Sequence, residues 1–167
     1  MRINIAQRVG VFVDVQNMYY SAKSMYHAKV NFATILRDAV NGRALIRAIA
    51  YVIKTDVVKE EKNFFDALEK IGFEVKSKDL QIFYGGSKKG DWDIGIAMDM
   101  IELAPKLDTV VLVSGDGDFV PLVQHLQSAL GARVEVMAFG KSGSSKLKEA
   151  ANSFTDMDIN PRKYLMK

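Results

Sequence analysis

A run of aliphatic residues, Val110-Val111-Leu112-Val113, breaks into Ser114-Gly115-Asp116-Gly117-Asp118 and passes directly into the apolar-periodic segment Phe119 to Leu130. Strand, polar turn and helix in that order constrain this chain more than any other feature. In an open α/β sheet, ligands gather beyond the carboxyl ends of the strands, so Asp116 and Asp118 stand where chemistry is expected. Turn and cap chemistry explains the same residues equally well, since Asp favours N-caps and Gly supplies positive φ. What separates the two readings is whether other strands aim carboxylates at the same edge.

They do. Arg8 to Val13 is a short continuous apolar run, the pattern of a strand buried on both faces, with Asp14 at its carboxyl end and Asn17 opening the next element. Met18 to Ala28 and Phe32 to Val40 read as helices, the second capped by Asn31. Arg43 to Lys54 is the second strand, and Val57 to Ile71 is a helix stopped by Gly72. Phe73 to Lys78 and Gln81 to Tyr84 predict one broken strand, or a strand and an edge ribbon, before the loop Gly85 to Gly90. Asp91 to Ala104 is helical, closed by Pro105. After the strand Thr109 to Val113 and the helix Phe119 to Leu130, a strand spans Arg133 to Phe139, a short helix spans Ser144 to Ala151, and a polar tail follows. This alternation, without a domain-sized linker, predicts one three-layer α/β domain over 1–167, with a core of about 8–155 and a mainly parallel sheet of about five strands.

Composition enters by exclusion. The chain of 167 residues contains no Cys, which rules out disulfides, thiolate zinc sites and cysteine nucleophiles. No stretch approaches the roughly 20 apolar residues that span a bilayer, and the N-terminus has no apolar leader, so a cytoplasmic location and no membrane partner are expected. The net charge of +3 says little alone. If several of the 20 acids converge in one pocket, the remaining surface is more basic than the total suggests, which suits a polyanionic partner.

Parallel strands end on one edge, so Asp14, Asp116 and Asp118 share a side of the molecule, and Asp93 joins them from the first turn of a helix. Two like charges about 5 Å apart repel by roughly 3 kcal/mol at an effective dielectric of 20, so such a cluster calls for a cation or raised pKa values. Oxygen-only ligation selects a hard ion, Mg2+ or Mn2+. Such an ion polarises a phosphate and lowers the pKa of bound water, and phosphodiester hydrolysis uses both effects.

Three blocks carry a resemblance: Val11 to Asn17, Lys89 to Asp99, and Ser114 to Val123. In order and spacing they resemble the signature blocks of the NYN domain family, in its LabA-like branch, over nearly the whole chain. NYN domains are similar to PIN-type nucleases. The resemblance implies a PIN-like (Rossmann-like) α/β/α fold with strand order 3-2-1-4-5, metal-dependent cleavage of RNA, and a possible homodimer. It implies metal binding by Asp14, Asp93, Asp116 and Asp118, with Asn17 and Ser114 completing the catalytic set. Asp91 competes with Asp93 for the helix position. Asp99 also matches a family Asp, but at six residues beyond Asp93 it lies about 240° round the helix and is assigned at most a supporting role. Asn152 stands where the family's closing block usually has Asp.

Lys88, Lys89, Lys141 and Lys146, with Lys148, are candidates to grip RNA phosphates, and Tyr84 and Trp92 to stack on bases, although Trp92 suits a core position equally. His27 and His125 lack partner spacing. Gly140-Lys141-Ser142 is no phosphate loop, because Glu135 occupies the position of the required Gly, and no nucleotide cofactor is expected. Asp116-Gly117-Asp118 is no EF-hand start, because Pro121 takes the Gly position. A haloacid-dehalogenase-type phosphatase would need a second Asp where Gln16 stands. The alternative of a different kind is a catalytically silent RNA-binding or protein-interaction module of the same fold.

Overall fold

The computed structural model describes residues 3–54, 58–82, 88–89 and 91–166. Six strands form one sheet: β1 (Arg8–Asp14), β2 (Ala44–Lys54), β3 (Glu74–Asp79), β4 (Thr109–Val113), β5 (Arg133–Ala138) and β6 (Ser153–Asp156). Every neighbouring pair is parallel and the order is β3-β2-β1-β4-β5-β6. The expected order of five is present, and β6 extends it by one. The helices are α1 (Val15–Tyr26), α2 (Phe32–Val40), α3 (Val58–Ile71), α4 (Asp93–Leu103), α5 (Val120–Ser128) and α6 (Ser145–Ala150).

Side chains alternate across a strand, and this chain uses both sides. Val9, Val11 and Val13 of β1 join Ala48, Ala50, Val111 and Met137 in a core closed by Met18 and Ala22 of α1, Ile35 of α2 and Leu68 of α3. Phe12, Ile49, Leu112 and Val136 point the other way, onto Ile96 and Met100 of α4, Val123 and Leu126 of α5 and Leu147 of α6. Gly10 shares the Phe12 side, where a Cβ would come within 2.5 Å of the Leu107 side chain, so the strand is bare where the chain turning into β4 crosses it.

The sheet grows outward in both directions from its middle: β2 and β3 are added on one side of β1, and β4, β5 and β6 on the other. The point of reversal lies between β1 and β4, where Val13 pairs with Val113. Such a switch point opens a crevice at the carboxyl ends of the strands, because the connections leave toward opposite faces. Asp14 and Ser114 are the next residues of those two strands.

One expectation needs correction. The segment after 155 is not a polar tail: Met157 and Tyr164 are buried, and Leu165–Met166 pairs antiparallel with Lys29–Val30. The Tyr164 hydroxyl donates to Asp38 on α2 at 2.7 Å, which fastens this end to the body. Of the two readings for the segment after β3, the structure has the strand and separate ribbon: Gln81–Ile82 pairs antiparallel with Lys88–Lys89. The cap at Asn31 is as expected, its side chain accepting from Thr34 N at 3.2 Å. Among the described residues, no helix is long and apolar enough to cross a membrane.

Candidate metal centre

Asp14 ends β1 and caps α1. One carboxylate oxygen accepts from the Asn17 N–H and the other from the Ser114 hydroxyl, each at 3.2 Å. Ser114 is fully buried, and its Oγ also accepts from the Asp116 N–H at 3.2 Å. The Asn17 side chain reaches across the switch point to accept from Gly115 N at 2.9 Å. Asn17 and Ser114 thus fix the turn after β4 against the start of α1, and this turn carries Asp116. Space is tight: a Cβ on Gly115 would meet the Gly143 Cα at 3.0 Å, and one on Gly117 would meet Ser144 Oγ at 2.8 Å.

Asp93 enters from the first turn of α4. Trp92, just before it, donates its indole N–H to the Val52 carbonyl at 2.8 Å and packs on Tyr51 with ring centroids 5.3 Å apart. A Cβ on Gly95 would strike the indole at 2.5 Å, so Trp92 is a core plug seated on a glycine, and it holds the start of α4 down on β2.

The outcome is one cluster. Oxygen atoms of Asp14, Asp93 and Asp116 lie within 4.8 Å of one another. Among the described residues, no ion pair to Lys, Arg or His neutralises them. Burial pushes the Asp14 carboxyl up to about 6, against the hydrogen bonds from Asn17 and Ser114, with Asp116 and Asp91 adding to the rise. Burial is also the first cause for Asp93, which the negative charges of Asp116, Asp91 and Asp14 help to push up to about 7. At neutral pH the cluster retains a proton or takes a cation. The donors are hard oxygens on rigid strand and helix ends, and the set fits a divalent metal ion.

The other sequence candidates are placed as follows. Asp118 is exposed and lies outside the three, its N–H donating to Asp116 Oδ1 at 2.9 Å. Asp91 is exposed and accepts from the Asp93 N–H at 3.3 Å, so it supports the helix start. Asp99 is turned away, accepting from the Tyr51 hydroxyl at 2.8 Å and from Lys76 Nζ at 2.7 Å. The Asn152 side chain accepts from Val134 N at 2.8 Å and Gln127 Nε2 at 3.0 Å, tying the end of α6 to α5 and β5. Lys141 and Lys146 are exposed on the Gly140–Ser144 loop and α6, beside the Gly115 turn that Ser144 N meets at 2.9 Å. The Lys88 and Lys89 side chains, and Tyr84, lie outside the described residues. His27 and His125 are exposed.

Sequence reading missed the support beneath this loop. Asp156, at the end of β6, accepts from Gly140 N at 2.9 Å, and Asp158 accepts from Lys141 N at 2.7 Å and from the Tyr26 hydroxyl. A Cβ on Gly140 would lie 2.5 Å from the Asp156 carboxylate. These bonds pin the loop to the end of β6 and the turn after it. Its only signal in the sequence is the acid pair Asp156 and Asp158 after a short polar strand.

A parallel sheet whose switch point gathers three carboxylates defines a three-layer α/β domain with an acidic centre able to hold a divalent cation. The chain belongs to the NYN domain family, whose model matches residues 8–158. It is similar to the low amplitude and bright protein LabA of Synechococcus elongatus, 27% identical over 163 residues that cover 90% of this chain and 84% of that protein. A crystal structure of a protein of unknown function, VPA0982 from Vibrio parahaemolyticus, superposes with a TM-score of 0.89 at 34% identity, covering 99% of this chain and 100% of that one.

Proposed function

We propose that the protein is a metal-dependent ribonuclease that hydrolyses RNA phosphodiester bonds at the Asp14, Asp93 and Asp116 centre. The observation that carries this reading is the convergence of three carboxylates within 4.8 Å, with no cationic side chain paired to them among the described residues. Mg2+ or Mn2+, when bound, supplies a polarised phosphate and a water acidic enough to attack it.

The chain's own residues do the rest. The Asn17 N–H and the Ser114 hydroxyl orient the Asp14 carboxylate, while the Asn17 side chain holds the turn that presents Asp116. Asp118 stands beside them on the exposed rim as a fourth acid outside the three, its N–H holding Asp116 Oδ1. Asp93 holds its proton up to about pH 7 and would have to give it up to ligate an ion, so ion affinity would rise with pH through that range. Lys141 and Lys146, with Lys88 and Lys89, position the phosphates of the strand.

The test is cleavage of a mixed pool of structured and single-stranded RNA in Mn2+, with wild type and Asp116→Asn purified identically. Loss of cutting by about 100-fold or more in the variant, and in wild type with chelator, supports the nuclease. Equal cutting by both proteins removes it. Binding without cutting by wild type would leave the silent RNA-binding module.

A further inference from the structure

The first helix carries a feature that the metal centre does not use. Tyr19 and Tyr20 are 49% and 59% exposed, their rings 5.6 Å apart in a T-shaped arrangement, and the Lys23 ammonium stands 5.6 Å above the Tyr19 ring. A shallow groove of about 340 Å³ beside them is lined by Tyr20, Lys23, Ser24 and His27. Those four positions fall at i, i+3, i+4 and i+7, which places them on one stripe of the helix. Extended backward by one turn, the stripe reaches Asn17, the residue that holds Asp14 and Gly115 together.

The charged side chain of α1 itself is cationic, and Asp158 meets the helix at the Tyr26 hydroxyl. The α1 sequence, Val15 to Tyr26, contains no Asp or Glu, carries Lys23, and is followed by His27 and Lys29. On the flank, Ser21 Oγ meets Ser142 Oγ at 3.1 Å, which brings the loop bearing exposed Lys141 alongside. A helix that starts at an acidic centre and leads away as two exposed aromatic rings with Lys23 beside them, Lys141 lying alongside, suits a strand whose bases stack and whose phosphates are neutralised. At 1.5 Å of rise per residue the stripe from Asn17 to His27 runs about 15 Å, the length of about four bases stacked 3.4 Å apart.

We infer that the exposed Tyr19, Tyr20, Lys23 and His27 face of α1 is a docking track for single-stranded RNA, which it feeds toward Asp14. Open tyrosine faces take bases only when these are unpaired, so a duplex gains nothing from the rings. This inference rests on the nuclease reading for its direction but not for its test.

That test measures the fluorescence anisotropy of short, labelled, mixed-sequence RNA on an Asp116→Asn background, which silences cleavage. The single strand and its duplex are each titrated with the parent and with Tyr19→Ala/Tyr20→Ala. Single-strand affinity is expected to fall about 5- to 100-fold in the double variant, with duplex affinity unchanged. Lys23→Gln should flatten the slope of log affinity against log salt by about 0.7. Tyr19→Phe/Tyr20→Phe, which keeps both rings, should bind like the parent, and thermal melts check that each variant folds.

Equal single-strand affinity in parent and Ala variant overturns the track, as does a parent that fails to bind the single strand, or a loss shared equally by duplex and single strand. Tyrosine-dependent binding together with a wild type that never cuts removes the nuclease and leaves the track. Cutting with tyrosine-independent binding does the reverse.

Discussion

Asp93 and Glu135 are both half-buried carboxylates at the end of a parallel sheet, and they are treated in opposite ways. At the carboxyl edge, burial raises Asp93 and the neighbouring Asp116, Asp91 and Asp14 raise it further. At the amino edge, burial also works to raise Glu135, but Arg43 and Arg133 outweigh it and hold the carboxyl below its usual range. Arg43 is bidentate to Glu135 at 2.8 and 3.0 Å, its side chain 5% exposed, and Arg133 adds a bond of 3.0 Å. Gln7, Ala39 and Val40 accept the remaining Arg43 protons, so the cavity of about 250 Å³ that opens there has its charges satisfied from within. The lesson is local: desolvation is common to both edges, and among the described residues Glu135 is paired with cationic side chains whereas the Asp14, Asp93 and Asp116 cluster is not.

The comparison breaks most forcefully at the amino edge. Arg43→Ala leaves Glu135 with only the half-exposed Arg133 and is expected to cost about 3 kcal/mol, at the lower end for a buried pair that loses one partner, measured by urea unfolding with the metal-free protein. A change under about 1 kcal/mol would mean that the Arg43 pair does not hold this edge.

At the carboxyl edge the effect is smaller and depends on the ion. Mn2+ at ten to a hundred times its dissociation constant should stabilise wild type by about 1.4 to 2.7 kcal/mol, seen as a rise in Tm. Asp116→Asn should abolish that gain, while in chelator it should stabilise by up to about 1 kcal/mol by relieving repulsion. Asp118→Asn, exposed and outside the three, should keep most of the gain. An undiminished gain in Asp116→Asn would place the ion elsewhere.

The gentlest probe is pH. In chelator, Asp14 and Asp93 bind protons more tightly folded than unfolded, where their ordinary value is 3.8. Stability from this source is complete below about pH 4 and is lost as pH rises through about 6 for Asp14 and about 7 for Asp93. Glu135 has the opposite sign: lowered in the fold, it contributes above its ordinary 4.5 and loses that contribution on acidification. Asp93→Asn should flatten the fall in Tm between pH 4 and 7. An unchanged slope would mean that Asp93 titrates normally.

Much of the carboxyl edge was legible because its signal is local. Continuous apolar runs ending in Asp14 and in Ser114 to Asp116 specify buried parallel strands without knowledge of their neighbours, and a first-turn acid marks Asp93. What stayed hidden depends on register or on edges. The Tyr51, Asp99 and Lys76 network exists because Tyr51 pairs with Asp14 and with Lys76 across two ladders, which no spacing in the sequence reveals. Strand β6, Ser-Phe-Thr-Asp, is half-buried at the sheet edge and too short and polar to stand out. The Arg43 and Glu135 pair joins residues 92 apart in sequence.

The pairing of β1 with β4 has a consequence for timing. Asp14 and Ser114 are 100 residues apart in sequence, and nothing but the completed sheet brings their ends together. At roughly 5 to 20 residues per second, Asp14 is synthesised about 5 to 20 s before the turn that completes its cluster. Throughout that interval the growing chain, surrounded by messenger and ribosomal RNA, carries an isolated acid and no centre. On the nuclease reading, the order of the strands keeps the enzyme inert until synthesis has passed Asp116.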